Sequence, residues 1–152
     1  MRLRIAIGAV AGLGAAVTTY LTVVHYTGVR LVCPTSGCET VQRSRYAELL
    51  GVPVALLGLL GFLAILGTAL VRGPQAAQLG AGIALVAFLF SGYLLLVQLF
   101  AIHAICTWCV TSDALTTLLL PLTWLRVRSS ERDAAPAARS GRGSRAAPRL
   151  SR

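Results

Sequence analysis

The chain has 152 residues, of which 56% are hydrophobic and only 12% are charged. A soluble domain carries about 25% charged residues, so this composition excludes an ordinary soluble protein and indicates an integral membrane protein. The net charge is +9 and all fourteen basic residues are Arg, but eight of them follow Leu125 and few lie beside aromatic residues. That distribution argues against nucleic-acid binding and points to an effect on membrane topology.

The first apolar segment, residues 5–24, contains no charged residue and follows Arg2 and Arg4. At 1.5 Å per residue, such a segment crosses the ~30 Å of bilayer hydrocarbon, so it predicts a spanning helix. A cleavable signal peptide is the competing interpretation, since the start is basic and rich in Ala and Gly. The apolar core of a signal peptide is usually only about 7 to 15 residues, which favours the spanning helix.

A polar, irregular loop follows and carries the first cysteine pair, Cys33 and Cys38. Pro34 and Gly37 lie between these two cysteines and favour a tight turn, so a local disulfide is geometrically plausible. Residues 44–50 then predict a short helix at the membrane surface, with Gly51 as its end.

Three further apolar segments predict three more spanning helices. Two are free of charge, and the last is interrupted only by Asp113. The predicted fold is therefore an all-α, four-helix transmembrane bundle in residues 1–125, with an extracytoplasmic loop and a short interfacial helix. The four spans are residues 5–24, 52–71, 76–102 and 104–125.

Residues 126–152 are rich in Arg, Ser, Ala, Gly and Pro. Because such a segment buries little apolar surface, it predicts a disordered, Arg-rich tail.

The Arg residues divide unequally between the two sides of this bundle. One side receives eleven, and the other receives Arg30, Arg43 and Arg45. The positive-inside rule then predicts both termini in the cytoplasm. The expected location is the plasma (inner) membrane, with several passes. All four cysteines are thereby predicted at the outer, oxidising face, where disulfides persist.

The second cysteine pair is a CxxC motif, Cys106 to Cys109, at the start of the fourth span. This spacing brings two thiols within disulfide reach, and a helix N-terminus favours thiolate over thiol. Two alternatives remain open from the motif alone: two small buried apolar residues, or half of a zinc site completed by Cys33 and Cys38. The loop is long enough for its pair to visit the CxxC pair.

The order of these motifs resembles the vitamin K epoxide reductase family across residues 5–125. The resemblance rests on a CxxxxC pair, a short polar motif, a Gly-Val-Pro motif, two spans and a CxxC motif at the top of the fourth span. In this chain they are Cys33 to Cys38, Ser44 to Tyr46, Gly51 to Pro53, and Cys106 to Cys109.

This resemblance implies a thiol oxidase that supports disulfide bond formation. Cys33 and Cys38 would be the shuttle pair, and Cys106 and Cys109 the active-site pair, with Cys109 facing a membrane quinone, either ubiquinone or menaquinone. The electron donor would be a separate extracytoplasmic thioredoxin-fold (DsbA-like) protein. Ser44 matches a family position near the quinone head group, although a helix N-cap is an equally good explanation of a serine there.

Asp113 departs from the vertebrate pattern, which has a tyrosine four residues after the second CxxC cysteine. An acid within a span is a functional candidate, so Asp113 is a candidate proton donor to the reduced quinone. Hydrogen bonding to neighbouring helices is the alternative role.

Three rival functions remain. A disulfide bond protein B type oxidase has its CxxC before the second span, whereas this chain has it at the fourth. An outward reductant exporter would need a cysteine in the inner half, where the sequence has none. The third rival is a non-catalytic membrane protein with structural disulfides or a metal clamp; the oxidase hypothesis requires no metal.

Overall fold

Helices account for most of the chain that the structure describes. The computed structural model describes residues 2–29, 32–33 and 37–143, with side chains as far as residue 132. In chain order the elements are α1 (Arg2–Thr27), α2 (Gly37–Gln42), β1 (Glu48–Leu49), β2 (Val52–Pro53), α3 (Val54–Leu70), α4 (Pro74–Val97), a π-helical turn (Gln98–Ile102) and α5 (Thr107–Gly143).

The four long helices pack in a ring around one apolar core. Helix α1 contacts α3 and α5, and α4 contacts the same two helices from the opposite side. Small residues allow close approach: a side chain at Gly14 of α1 would collide with the ring of Phe62 on α3. The buried core residues are Ile7, Ala11, Ala15, Phe62, Ile65, Ala69, Ala84, Leu115 and Leu119.

Two described helical stretches, Arg2–Thr27 and Pro74–Ile102, are long and apolar enough to cross a membrane. Helix α3 is also apolar but has only 17 residues. Large apolar side chains point outward from the ring of helices, for example Leu60, Leu89 and Leu96, each more than half exposed. Contiguous exposed apolar surface of this kind suits contact with lipid rather than with water.

Two arginines cap the C-terminus of α3. Arg126 of α5 donates to the carbonyl oxygens of Thr68 and Val71 at 2.8 and 2.7 Å, and Arg4 of α1 donates to that of Ala69 at 2.8 Å. The last carbonyls of a helix lack intrahelical partners, so these contacts satisfy them and place positive charge at the negative end of the helix dipole. We call this the arginine end of the molecule, after Arg4 and Arg126.

The helix predicted over residues 44–50 is absent; a hairpin replaces it. Strand β1 pairs antiparallel with β2, Glu48 opposite Pro53, through a two-residue loop. The loop residues Leu50 and Gly51 both have positive φ, 55° and 81°, as a tight hairpin requires. A glycine with positive φ ends a helix or turns a hairpin equally well, which is why the sequence pattern was misleading. The short helix of this region is α2, seven residues earlier.

The last helix also differs from expectation, because α5 continues to Gly143 instead of ending at residue 125. Residues 126–143 are therefore helical, where the sequence predicted disorder from Arg126 onward. Ala, Arg and Glu are strong helix formers, and a helix already nucleated by packing needs little more to continue. The remainder of the predicted tail, residues 144–152, lies outside the described residues.

Candidate redox site

The first cysteine pair forms a disulfide between the loop and the start of α2. Cys33 and Cys38 are bonded, with their Cα atoms 6.3 Å apart. Cys38 is fully buried, whereas Cys33 is only half-buried. A thiol from another protein would therefore reach Cys33 more readily than Cys38.

The second pair lies at the N-terminus of α5, where Cys106 occupies the N-cap position. Its carbonyl oxygen accepts the first helical hydrogen bond, from Val110, and its Sγ accepts one from the backbone N–H of Cys109 at 3.3 Å. The sulfur atoms of Cys106 and Cys109 are not joined by a disulfide and lie 2.6 Å apart. Helix N-terminal amides stabilise negative charge on a sulfur atom, which suits thiol exchange.

Gln98 fixes the chain immediately before this pair. Its side-chain Oε1 accepts a hydrogen bond from the backbone N–H of Cys106 at 2.9 Å, and its own carbonyl oxygen accepts one from Ala104 at 3.2 Å. Gln98 is buried and begins the π-helical turn, a geometry that is often found at functional sites. Sequence reasoning missed this residue, although a polar side chain inside a charge-free apolar segment was an available signal.

The two cysteine pairs come together. Cys38 and Cys106 are both fully buried and belong to one cluster with Val41, and Cys33 and Cys109 pack at its edge. We call this region the cysteine end of the molecule, after the four cysteines.

The loop approaches the CxxC pair closely, because a side chain at Gly37 would collide with the carbonyl oxygen of Ile105. The prediction that the loop pair lies within reach of the CxxC pair therefore agrees with the geometry.

A large cavity lies beside the active-site pair. Its volume is about 850 Å³, and its walls come from all four long helices and from residues 41–49. The walls are mostly apolar, and Cys109, Ser44 and Asp113 are among the few polar groups on them. Cavities of this size and character bind small organic molecules.

Asp113 is an acidic residue on the cavity wall. Ser91 of α4 donates a hydrogen bond to its Oδ1. Its Oδ2 is buried, and among the described residues no donor reaches it. Buried polar atoms are rarely left without a partner, which sets Asp113 apart from the other polar residues of the site. Ser91 is a second residue that sequence reasoning missed.

Ser44 lies on the cavity wall, but it does not cap a helix, since a turn and β1 follow it. Its Oγ donates to the carbonyl oxygen of Val41 at 2.7 Å. The hydroxyl oxygen keeps acceptor capacity, and the proton can be redirected by rotation. The N-cap alternative is therefore wrong, and a position of Ser44 near a quinone head group stays a prediction.

The sequence matches the Vitamin K epoxide reductase family over residues 5–124. The chain belongs to this family. Membership makes it a membrane oxidoreductase of the kind that couples disulfide chemistry to quinones, as the order of its cysteine motifs predicted. The matched region contains both cysteine pairs, Ser44 and Asp113.

A structural metal clamp would need four ligands at one place. Within the ranges that the structure describes, no three His, Cys, Asp or Glu side chains converge as metal ligands. Moreover, a disulfide between Cys33 and Cys38 removes two of the four thiolates that a structural zinc site would need.

Proposed function

We propose that this member of the vitamin K epoxide reductase family is a thiol oxidase that passes electrons from an extracytoplasmic dithiol protein to a membrane quinone. One observation carries the proposal: the active-site pair stands between the loop pair and the cavity. Cys106 shares a buried cluster with Cys38, whereas Cys109 lies on the cavity wall. Each cysteine of the CxxC motif thus faces a different redox partner.

The donor is a thioredoxin-fold (DsbA-like) protein that carries two reduced thiols. One of its thiolates attacks the half-exposed Cys33, breaks the Cys33–Cys38 bond and releases the Cys38 thiolate. Cys38 then attacks Cys106 of an oxidised Cys106–Cys109 pair, and Cys109 leaves with the electron pair. The second thiol of the donor frees Cys33, which attacks Cys38 and releases Cys106. The donor is now oxidised, and Cys106 and Cys109 are both reduced.

The two electrons leave through the cavity, where a bound quinone accepts them with two protons and becomes a quinol. Cys109 lines the site of transfer, Ser44 donates a hydrogen bond toward the head group, and the carboxyl group of Asp113 holds and delivers a proton. For a two-electron step, ~30 mV of potential difference corresponds to ~1.4 kcal/mol, so a modestly more oxidising quinone suffices. Ubiquinone and menaquinone both have this chemistry.

The proposed topology is a four-helix transmembrane bundle in the plasma membrane. Helices α1, α3 and α4 and the first part of α5 would span it, with both termini in the cytoplasm. The unequal Arg distribution supports this orientation, as do Arg4 and Arg126 at the end opposite the cysteines. Labelling of reduced, intact cells with an impermeant thiol reagent tests it. Protection of every cysteine until permeabilisation would overturn the topology and the function together.

Quinone reduction by the purified protein is the direct test of the function. We expect turnover with a reduced thioredoxin-fold donor and a short-chain ubiquinone or menaquinone, and none after Cys109→Ala. Absence of turnover with both quinones would contradict the proposal. Metal analysis of the same sample addresses the non-catalytic alternative, because a structural clamp would retain one zinc ion per chain through purification.

A further inference from the structure

The backbone of Val32 is held on both sides by aromatic side chains. Its N–H donates a hydrogen bond to the hydroxyl oxygen of Tyr20 at 3.2 Å, and its carbonyl oxygen accepts one from the indole Nε1 of Trp108 at 2.9 Å. Val32 directly precedes Cys33, while its own side chain is 77% exposed and contributes little packing. The two hydrogen bonds therefore fix the backbone immediately before the disulfide, and they do not serve to bury the side chain of Val32.

The two aromatic residues come from different parts of the molecule. Tyr20 lies on α1, and Trp108 lies inside the CxxC motif, between Cys106 and Cys109. Their rings contact each other, with centroids 5.2 Å apart and planes tilted by 53°. Trp108 belongs to the backbone segment that carries the active-site pair. Its hydrogen bond to Val32 therefore connects this segment to the loop pair.

The other end of the loop pair is docked by a different contact. Gly37 packs against the backbone of Ile105, and Cys38 is buried beside Cys106. The backbone near Cys38 is therefore held by close packing, and the backbone near Cys33 is held by the two hydrogen bonds to Val32. Loss of either contact would let the disulfide leave the position from which Cys38 reaches Cys106.

We propose that Tyr20 and Trp108 are positioning residues that clamp the loop pair against the CxxC pair and so set the rate of thiol exchange between Cys38 and Cys106. The inference rests on the proposed function. In the exchange, the Cys38 thiolate forms a bond to Cys106 Sγ while the Cys106–Cys109 bond breaks. The electron pair leaves with Cys109, and no further reactant is needed. The clamp acts by keeping two reacting sulfurs at high effective concentration.

Two conservative variants remove the hydrogen bonds while keeping the rings. Trp108→Phe removes the indole N–H, and Tyr20→Phe removes the hydroxyl oxygen. Each should slow quinone reduction driven by a reduced thioredoxin-fold donor by roughly three- to tenfold, the range expected for one net hydrogen bond. Matched controls are Trp124→Phe and Tyr26→Phe, which lie on α5 and α1 outside the site, and both should keep the wild-type rate.

A second measurement separates positioning from a general structural role. In a Cys33→Ala, Cys38→Ala background, dithiothreitol has to reduce the CxxC pair directly, so the clamp has no exchange to assist. Quinone reduction should then be the same with and without Trp108→Phe or Tyr20→Phe. A role in folding or in quinone binding would instead lower this rate as well.

Two results would overturn the clamp while leaving the proposed function intact. One is a donor-driven rate within twofold of wild type in both variants, and the other is an equal loss in the dithiothreitol assay. A wild-type protein that reduces no quinone with either reductant would overturn the proposed function and the clamp together.

Discussion

The two ends of the molecule are stabilised in different ways. At the arginine end, the charged side chain of Arg126 is buried and reaches two carbonyl oxygens of α3 directly. At the cysteine end, neutral hydrogen bonds, a glycine contact and small buried side chains hold a loop against a helix N-terminus. Charge-assisted hydrogen bonds are stronger than neutral ones.

This difference indicates that the contacts at the arginine end stabilise the fold, whereas those at the cysteine end have to break and re-form during thiol exchange. A loop pair that has to bond in turn to a partner, to Cys106 and to itself cannot be held by contacts that are costly to break. The capped end of α3, in contrast, takes no part in the chemistry. Changes at the arginine end should therefore affect unfolding, and changes at the cysteine end should affect turnover.

The largest effect is expected at the arginine end. Arg126→Gln removes two charge-assisted hydrogen bonds, so it should lower the free energy of unfolding by about 2–4 kcal/mol. Thermal unfolding in detergent measures the loss. Arg128→Gln, an exposed neighbour on the same helix, should change stability by less than about 0.5 kcal/mol. Equal losses of stability in the two variants would contradict a stabilising role of Arg126. A loss of turnover in the folded Arg126 variant at low temperature would contradict the separation of stability and turnover between the two ends.

Asp113→Asn should give the next largest effect. The amide keeps the size of the side chain but does not deliver a proton, and general acid catalysis contributes about 10²-fold or more. We expect a roughly hundredfold slower quinone reduction with an altered pH profile. Glu131→Gln, an exposed acid of α5, serves as the matched control. A wild-type rate and pH profile in the Asp113 variant would rule out the proton role.

Gly37→Ala should disturb the docking of the loop pair. The added Cβ collides with the backbone of Ile105, and overpacking of this kind costs about 1–3 kcal/mol. Donor-driven turnover should fall at least about tenfold, because the collision disfavours the docked position of the loop. Gly92→Ala is the control, because an added Cβ there meets no atom within 4 Å in the described structure. Similar turnover in the two variants would show that close docking is unnecessary.

The smallest effect is expected for Ser44→Ala. Removal of one neutral hydrogen bond to the quinone should raise its KM by about fivefold and leave kcat unchanged. Steady-state kinetics with a short-chain quinone give both constants. An unchanged KM would leave Ser44 with only its bond to Val41 and remove it from the quinone site.

The sequence predicted the long helices because lipid solvation depends on length and apolarity, which are local properties, and α1 and the stretch Pro74–Ile102 are long and apolar enough to cross a membrane. It also predicted the grouping of the four cysteines, since topology places them at one face. The hairpin at residues 48–53 was missed because Gly51 suits two structures equally well. The continuation of α5 past Leu125 was missed because the composition of a segment does not show that the preceding residues already form a helix, which the segment can extend.

The contacts that refine the site depend on tertiary structure. Trp108 and Val32 are far apart in sequence, and no local pattern pairs an indole N–H with a particular carbonyl group. The Ser91–Asp113 bond likewise joins two helices. Gln98 differs from these, since its polarity within an apolar segment was a local signal, although the sequence analysis did not use it.

The electron path is the central claim, and a trapped disulfide tests it most directly. In Cys109→Ala the Cys106 thiolate can attack Cys38 of the Cys33–Cys38 bond and release the Cys33 thiolate, without net oxidation. No Cys109 thiolate is present to displace Cys38 from Cys106, so the protein should accumulate a bond between Cys38 and Cys106. Tryptic digestion without reduction should join the peptides 31–43 and 73–126, with fragmentation assigning Cys38, and Cys106→Ala should lack this product. If Cys106→Ala instead accumulates a bond from Cys38 to Cys109, and Cys109→Ala accumulates none, the two CxxC cysteines have the opposite roles.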